Sequence, residues 1–200
     1  MAGEQKKQST LIGVRDVVFA ILKKDDKTGA EYETDIIEEA GVIEIVLTPN
    51  VSDEALGADD NPVYEQMTAL DSIDAAVTQS SIRKATEAKL LGHKIDTKGV
   101  MIKAADDVAP DVAMGFKSAK VNGKDRYIWL LKGKFKPSDQ TFRTKEKGTV
   151  NWNTPKLAAT FGPRDYDKLL QLSVDTDDEG VSATVLDGFF TKPYAPALTP

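Results

Sequence analysis

The chain has 200 residues, 40% of them hydrophobic and 29% charged, as expected for one globular domain; no apolar run is long enough to cross a membrane as a helix. It has no cysteine and a single histidine, His93, which excludes disulfide frameworks, thiolate metal sites and cysteine nucleophiles and leaves little room for imidazole chemistry. The net charge of −6 hides a division. Asp53, Glu54, Asp59, Asp60, Glu65, Asp71 and Asp74 lie between Pro49 and Ile82 without a lysine or arginine, whereas Val112 to Lys147 is strongly basic. The two blocks either pair within one chain or join one copy to the next.

In chain order, MAGEQKKQST is polar with no apolar segment behind it, so residues 1–12 read as an N-terminal arm and not as a secretory signal. Val14 to Leu22 is a strand apolar on both faces from Val17, and Lys23 to Glu31 turns around Asp25-Asp26 and Gly29. Val42 to Thr48 alternates, with Ile43, Ile45 and Leu47 on one face. Thr48 to Pro62 has the Pro, Gly, Asn and Asp density of a long loop. Leu70 to Thr78 reads as a strand through Ile73, Ala75 and Val77. Ser80 to Leu91 reads as a helix with Ser80 or Ser81 as N-cap and Gly92 as the stop. Gly99 to Lys103 is a short strand.

Pro110 to Lys136 is predicted to form a long hairpin, because Asn122-Gly123 is the strongest short-range signal for a two-residue type I′ turn. Counting outward, Ser118 faces Tyr127, Phe116 faces Trp129 and Met114 faces Leu131. Val112, Met114, Phe116, Tyr127, Trp129, Leu131 and Phe135 then share a core face, with Lys132, Lys134 and Lys136 on the other. Phe142 to Glu146 and Val150 to Phe161 read as strands, the second interrupted by Pro155 as suits an edge. Lys168 to Val174 and Val181 to Leu186 complete the strands, and residues 191–200 form a Pro-rich C-terminal arm. The fold class is mainly β: a sandwich or barrel with one flanking helix, in a single domain over residues 1–200.

No motif supplies a catalytic or metal site. DTDDEG at Asp175 to Gly180 imitates the start of a calcium loop but has Leu186 where a bidentate Glu is required, so it reads as an acidic turn. His93, just past a helix stop, has no second ligand and reads as structural. Asp106 with Asp107, or Asp59 with Asp60, are the carboxylate pairs a small hydrolase would use, and adjacent acids on loops are commonly solvated turns. Tyr127 and Trp129 among basic residues suggest a nucleic-acid stacking platform, but the counted register places both in the core. Neither an enzyme nor a cofactor is expected.

DDKTGAEY (Asp25 to Tyr32), LLGHKID with GV (Leu90 to Val100), APDVAMGF (Ala109 to Phe116), NGKDRYIWLLKGKF (Asn122 to Phe135) and TKEKGTVNWNTPKLAATF (Thr144 to Phe161) together resemble the major tail proteins of long-tailed, non-contractile bacteriophages and prophages of Gram-positive bacteria. The resemblance covers nearly the whole chain. It implies a β-sandwich that closes into a hexameric ring, in which long hairpins from six copies share one inner β-barrel and rings stack into the tail tube. The tube is a virion structure, made in the host cytoplasm, that meets tape measure, terminator and distal tail proteins and conducts DNA without sequence-specific binding or contact with a membrane. Within it, the hairpin carrying Met114, Phe116, Lys120, Asn122, Gly123, Lys124, Asp125, Arg126, Tyr127 and Trp129 is the candidate barrel element. Asp53, Glu54, Asp59, Asp60, Tyr64, Lys132, Lys134 and Lys136 are candidates for contacts between subunits or rings. The alternatives are a monomeric β-sandwich binding module and a tube protein like that of type VI secretion.

Overall fold

The computed structural model describes residues 9–58, 60–142, 144 and 152–196. In chain order its elements are β1 (Leu11–Asp26), β2 (Gly29–Tyr32), β3 (Ile37–Glu39), β4 (Val42–Ala58), β5 (Asn61–Gln79), α1 (Lys84–Leu91), β6 (Lys94–Ile95), β7 (Met101–Ile102), β8 (Val112–Lys120), β9 (Asp125–Lys136), β10 (Lys156–Gly162), β11 (Gln171–Asp175) and α2 (Ala183–Gly188). The protein is mainly β. Seven strands follow one another as β2-β1-β8-β9-β10-β5-β4, with β3 added on β1 and β11 on β9, while β6 and β7 form a separate small hairpin.

The main sheet curls, because strands as far apart in that order as β1 and β5 meet in one apolar cluster. Val17, Phe19, Ile73, Val77, Met114, Phe116, Leu130, Phe135 and Phe161 fill its concave side, and Leu90 and Leu91 of α1 close it. Phe135 sits edge-on to Phe19 at 5.4 Å and to Phe161 at 6.1 Å, the quadrupole-favoured arrangement. The opposite side carries a second cluster of Val18, Ala20, Ala113, Trp129, Leu131 and Phe189. The chain after β11 covers it: Trp129 Nε1 donates to the Phe189 carbonyl at 2.7 Å, and Phe190 lies over the indole. Both sides of β1 are therefore roofed, which is why Val17 to Ala20 is one continuous buried run.

The β8–β9 hairpin exists where the sequence places it, in a register shifted by one residue. Gly123 alone in the loop has positive φ, +77°. Its N–H donates to the Lys120 carbonyl at 3.0 Å, while the Lys120 N–H donates to the Lys124 carbonyl at 2.7 Å. The loop thus has three residues ending in a left-handed glycine instead of the expected two-residue turn. Phe116 consequently pairs with Ile128, and Gly115 with Trp129. A one-residue slip exchanges faces. Ile128 and Leu130 enter the concave core with Met114 and Phe116, whereas Tyr127, Trp129 and Leu131 belong to the other side. Gly115 makes room for the indole: a Cβ there would stand 2.9 Å from Trp129 ring atoms, and one at Gly133 would stand 2.4 Å from the Phe161 ring.

Other expectations are corrected locally. The helix begins at Lys84 and not Ser80, with Arg83 at the N-cap making no side-chain cap, though Gly92 ends it in the left-handed region as expected. Val181 to Leu186 is not a strand. Ser182 accepts from the Val185 N–H and starts α2. Pro155 precedes β10 without making it an edge, since β10 lies between β9 and β5. Ile43 is 54% exposed because the β4–β5 register shifts between Val42 and Glu44. Thr48 to Pro62 is not a loop; it continues β4, turns, and begins β5. The expectations for residues 1–8, Asp59, most of Phe142 to Glu146 and residues 197–200 fall outside the described residues.

Candidate subunit interface

β4 and β5 begin as part of the body. Ile45, Leu47, Ile73, Ala75 and Val77 pack into the concave cluster. Beyond the pair Asn50↔Ser72 the two strands leave it as a ribbon, and every described residue of 51–56 and 63–71 is exposed. From Asn50 to Ala58, at about 3.3 Å per residue, the ribbon projects roughly 30 Å.

Both edges of the ribbon are free among the described residues. β4 ends the sheet order and pairs only with β5, and β5 pairs with β10 only over Ile73 to Thr78. Neither face is buried. Val51, Asp53 and Ala55 lie opposite Leu70, Thr68 and Gln66; on the other face Ser52, Glu54 and Leu56 lie opposite Ala69, Met67 and Glu65. Leu56 and Met67 are exposed at 60% and 64%, and Tyr64 at 57%. The Asp53 carboxylate accepts from Thr68 Oγ1 at 2.6 Å and that of Asp71 from Ser52 Oγ at 3.2 Å. Glu54, Asp60 and Glu65 meet no cation among the described residues, and Asp60 takes a left-handed φ of 61° at the tip. At the root, Asp74 accepts from Thr160 Oγ1 (2.6 Å) and Asn50 Nδ2 (2.9 Å), hydrogen bonds that hold its carboxyl below the usual carboxylate range. Lys136 Nζ in turn donates to Thr160 Oγ1 at 2.9 Å.

Among the described residues, the basic block does not neutralise this ribbon. Lys132 Nζ is held between Asp25 and Asp165, 2.7 Å from each, and is only 22% exposed in its side chain; Lys134 lies 3.9 Å from Asp111. Lys120, part of the candidate barrel hairpin, is buried between Asp175 (2.7 Å) and Asp177 (2.5 Å). Arg126 grips Asp175 with two bonds of 2.5 and 2.7 Å, and Asn122 Nδ2 donates to Asp177. The Arg126 hydrogen bond, with Lys120 beside it, lowers the Asp175 carboxyl to about 2. Carboxylates that resemble a calcium loop are thus consumed by cations of the central hairpin. Lys124 and Asp125 flank its loop, and Asp125 takes Arg15 Nη2 at 2.6 Å.

The expected barrel element is corrected by pairing. β8 is bonded to β1 and β9, and β9 to β8, β10 and β11. Strands occupied on both sides offer no edge to another copy, so the element able to do so is β4–β5. Sequence reasoning missed it for a physical reason: with no buried face in the isolated chain, its apolar residues follow no period-2 alternation. The available signals were seven acids without a base and the apolar Tyr64, Met67 and Leu70 following a run dense in turn-forming residues.

Elsewhere the acids have structural partners. Asp107 accepts from the Ala104 N–H (2.9 Å) and meets His93 Nδ1 at 2.6 Å, contacts that lower its carboxyl and close the turn after β7. Asp106 is exposed. An open cleft of about 850 Å³ beside β3 contains Asp16, Lys117, Glu39 and Arg83, already joined as Lys117–Asp16 (2.9 Å) and Arg83–Glu39 (2.8 Å). Among the described residues no group of three or more acids and histidines converges as a metal site, and no helix is long and apolar enough to cross a membrane. No family model matches the chain, and no curated protein matches it either.

Proposed function

We propose that the protein is a tail-tube subunit of a bacteriophage: a non-enzymatic virion protein whose copies close into rings of six through their β4–β5 ribbons, the rings stacking into a conduit for DNA. The observation that carries this reading is a ribbon of 17- and 19-residue strands, free on both edges among the described residues and exposed on both faces beyond the body, with apolar side chains set among acids. An isolated two-stranded ribbon is marginal in water, and long bare edges invite further strands. Neighbouring copies would supply them, and a head-to-tail interface of this kind closes into a ring when its rotation allows.

Barrel geometry sharpens the proposal. Six ribbons alone give twelve strands; at ~4.8 Å spacing and a tilt of ~40° they enclose a barrel about 24 Å across between backbones, too narrow once side chains fill it for a duplex of roughly 20 Å. If each copy also contributes β10, which follows β5 in the sheet, and the Lys134 to Lys136 end of β9, which extends past its pairing with β8, the diameter doubles to about 48 Å. Lys136, Thr160, Asp74 and Thr48 would then stand on the inner wall, and the ribbon's unpaired carboxylates would repel a polyanion and let it slide.

The test is electron microscopy of the purified chain beside a variant in which Val51 to Leu70 is replaced by Asn-Gly. Rings or tubes of uniform bore from the parent, and a folded monomer from the variant, are expected. A parent that stays monomeric at every concentration would favour the β-sandwich binding module.

A further inference from the structure

The unit formed by α1 and the β6–β7 hairpin has an unusual surface. Ile95, Val100, Ile102 and Val108 are exposed at 42, 57, 49 and 75%. On the same unit Lys84, Lys89, Lys94 and Lys98 are exposed and enter no ion pair among the described residues, while Lys103 is already taken by Glu87 at 2.7 Å. The other described lysines outside ion pairs, Lys27, Lys124, Lys136, Lys156 and Lys192, lie on separate elements. The surface is also fixed in place. Asp96 Oδ1 accepts from the Lys98 and Val100 N–H groups, both at 2.8 Å, and the Val108 carbonyl packs so closely on Gly92 that a Cβ there would come within 2.2 Å. In the β6–β7 register Lys94 pairs with Ile102 and Ile95 with Met101, so Ile102 stands beside Lys94 on one face and Ile95 on the other; the result is a preformed frame that carries exposed apolar side chains among cations.

The ribbon tip is its complement in both respects. Leu56 and Met67 lie on one face with Glu54 and Glu65, and Asp60 marks the end. We propose that the ribbon tip of one copy seats on the α1–β6–β7 surface of another, its apolar side chains against the exposed apolar ones there and its carboxylates among the four lysines. The two patches differ, so the contact is head-to-tail and propagates from copy to copy. It rests on the reading of the chain as self-assembling, and adds to strand pairing within a ring a contact suited to join successive rings. Opposite charge fixes the partner and the register, and apolar contact supplies the affinity.

A charge swap tests it. Lys84→Glu, Lys94→Glu and Lys98→Glu in one chain, or Glu54→Lys and Glu65→Lys in another, should each raise the concentration needed for half-assembly about tenfold or more. Mixing the two variants, or combining all five changes in one chain, should restore assembly. Because the protein has no cysteine, Glu65→Cys with Lys98→Cys offers a second reading that does not depend on charge reversal: an intermolecular disulfide is expected. Tubes that form normally from either reversed variant, or reversed variants that fail to rescue each other, overturn this contact and leave the tube reading intact. Pairing of copies that the charge swap abolishes and the mixed variants restore, without tubes, supports the contact and overturns the tube. A parent chain with no self-association in sedimentation overturns both.

Discussion

The protein contains two long hairpins with opposite fates. β8–β9 is held on both sides by other strands and on both faces by apolar clusters, with Trp129 and Leu130 fully buried in opposite directions. β4–β5 starts in the same sheet and then leaves it, with two bare edges, two wet faces and, in Glu54, Asp60 and Glu65, carboxylates that meet no cation among the described residues. The first has every requirement of a strand met within one molecule. The second has almost none met, and a long, exposed, apolar edge is something a solitary protein normally avoids. The difference separates what makes the monomer stable from what would make it assemble.

The contrast can be broken most forcefully in the body. Trp129→Ala should cost about 3–5 kcal/mol through lost burial and the cavity left under Phe190, read as a lower urea midpoint. Gly133→Ala comes next, at about 2 kcal/mol, because a methyl group there meets the Phe161 ring. Lys132→Glu should cost a similar ~2 kcal/mol by placing a third carboxylate beside Asp25 and Asp165, while Lys134→Glu with Lys136→Glu stays within ~0.5 kcal/mol. Asp175 contributes through pH. Its folded carboxyl titrates near 2 and the unfolded one near 3.9, so the stabilisation of about 1–2 kcal/mol is present above pH ~4 and disappears as pH falls toward 2. Denaturant melts between pH 5 and 2 should show this slope, and Asp175→Asn should flatten it. The smallest stability effect belongs to the ribbon. Leu56→Ser with Met67→Ser should move folding stability by no more than ~0.5 kcal/mol yet abolish the stacking of rings into tubes; a loss of stability well beyond that would mean that the ribbon serves the monomer instead.

How much could be read in advance follows the same division. Strands with a buried face were legible: Val17 to Ala20 as a doubly covered run, Ile73, Ala75 and Val77 as one face of β5, and Gly92 as a helix stop. The central hairpin was located by Asn122-Gly123, but its register was not, because Asn122 does not adopt the positive φ that a two-residue turn demands and the slip exchanges Trp129 for Ile128 in the concave core. α2 was hidden because six residues are too few to separate helical from strand periodicity, and only Ser182 as a cap hinted at it. The ribbon was illegible for the deeper reason that hydrophobic patterning records burial, and within one copy it has none.

The order of pairing also bears on synthesis. Arg15 waits for Asp125, 110 residues later, and Trp129 for Phe189, so the sheet is not complete until the chain has been made through β11, nor its outer side covered until Phe189. The ribbon's partners are adjacent in sequence and are complete by Gln79. A nascent chain therefore displays its stickiest edges well before the rest of the molecule is folded, and mutual repulsion among Glu54, Asp60 and Glu65 on crowded neighbouring chains opposes premature contact during that interval.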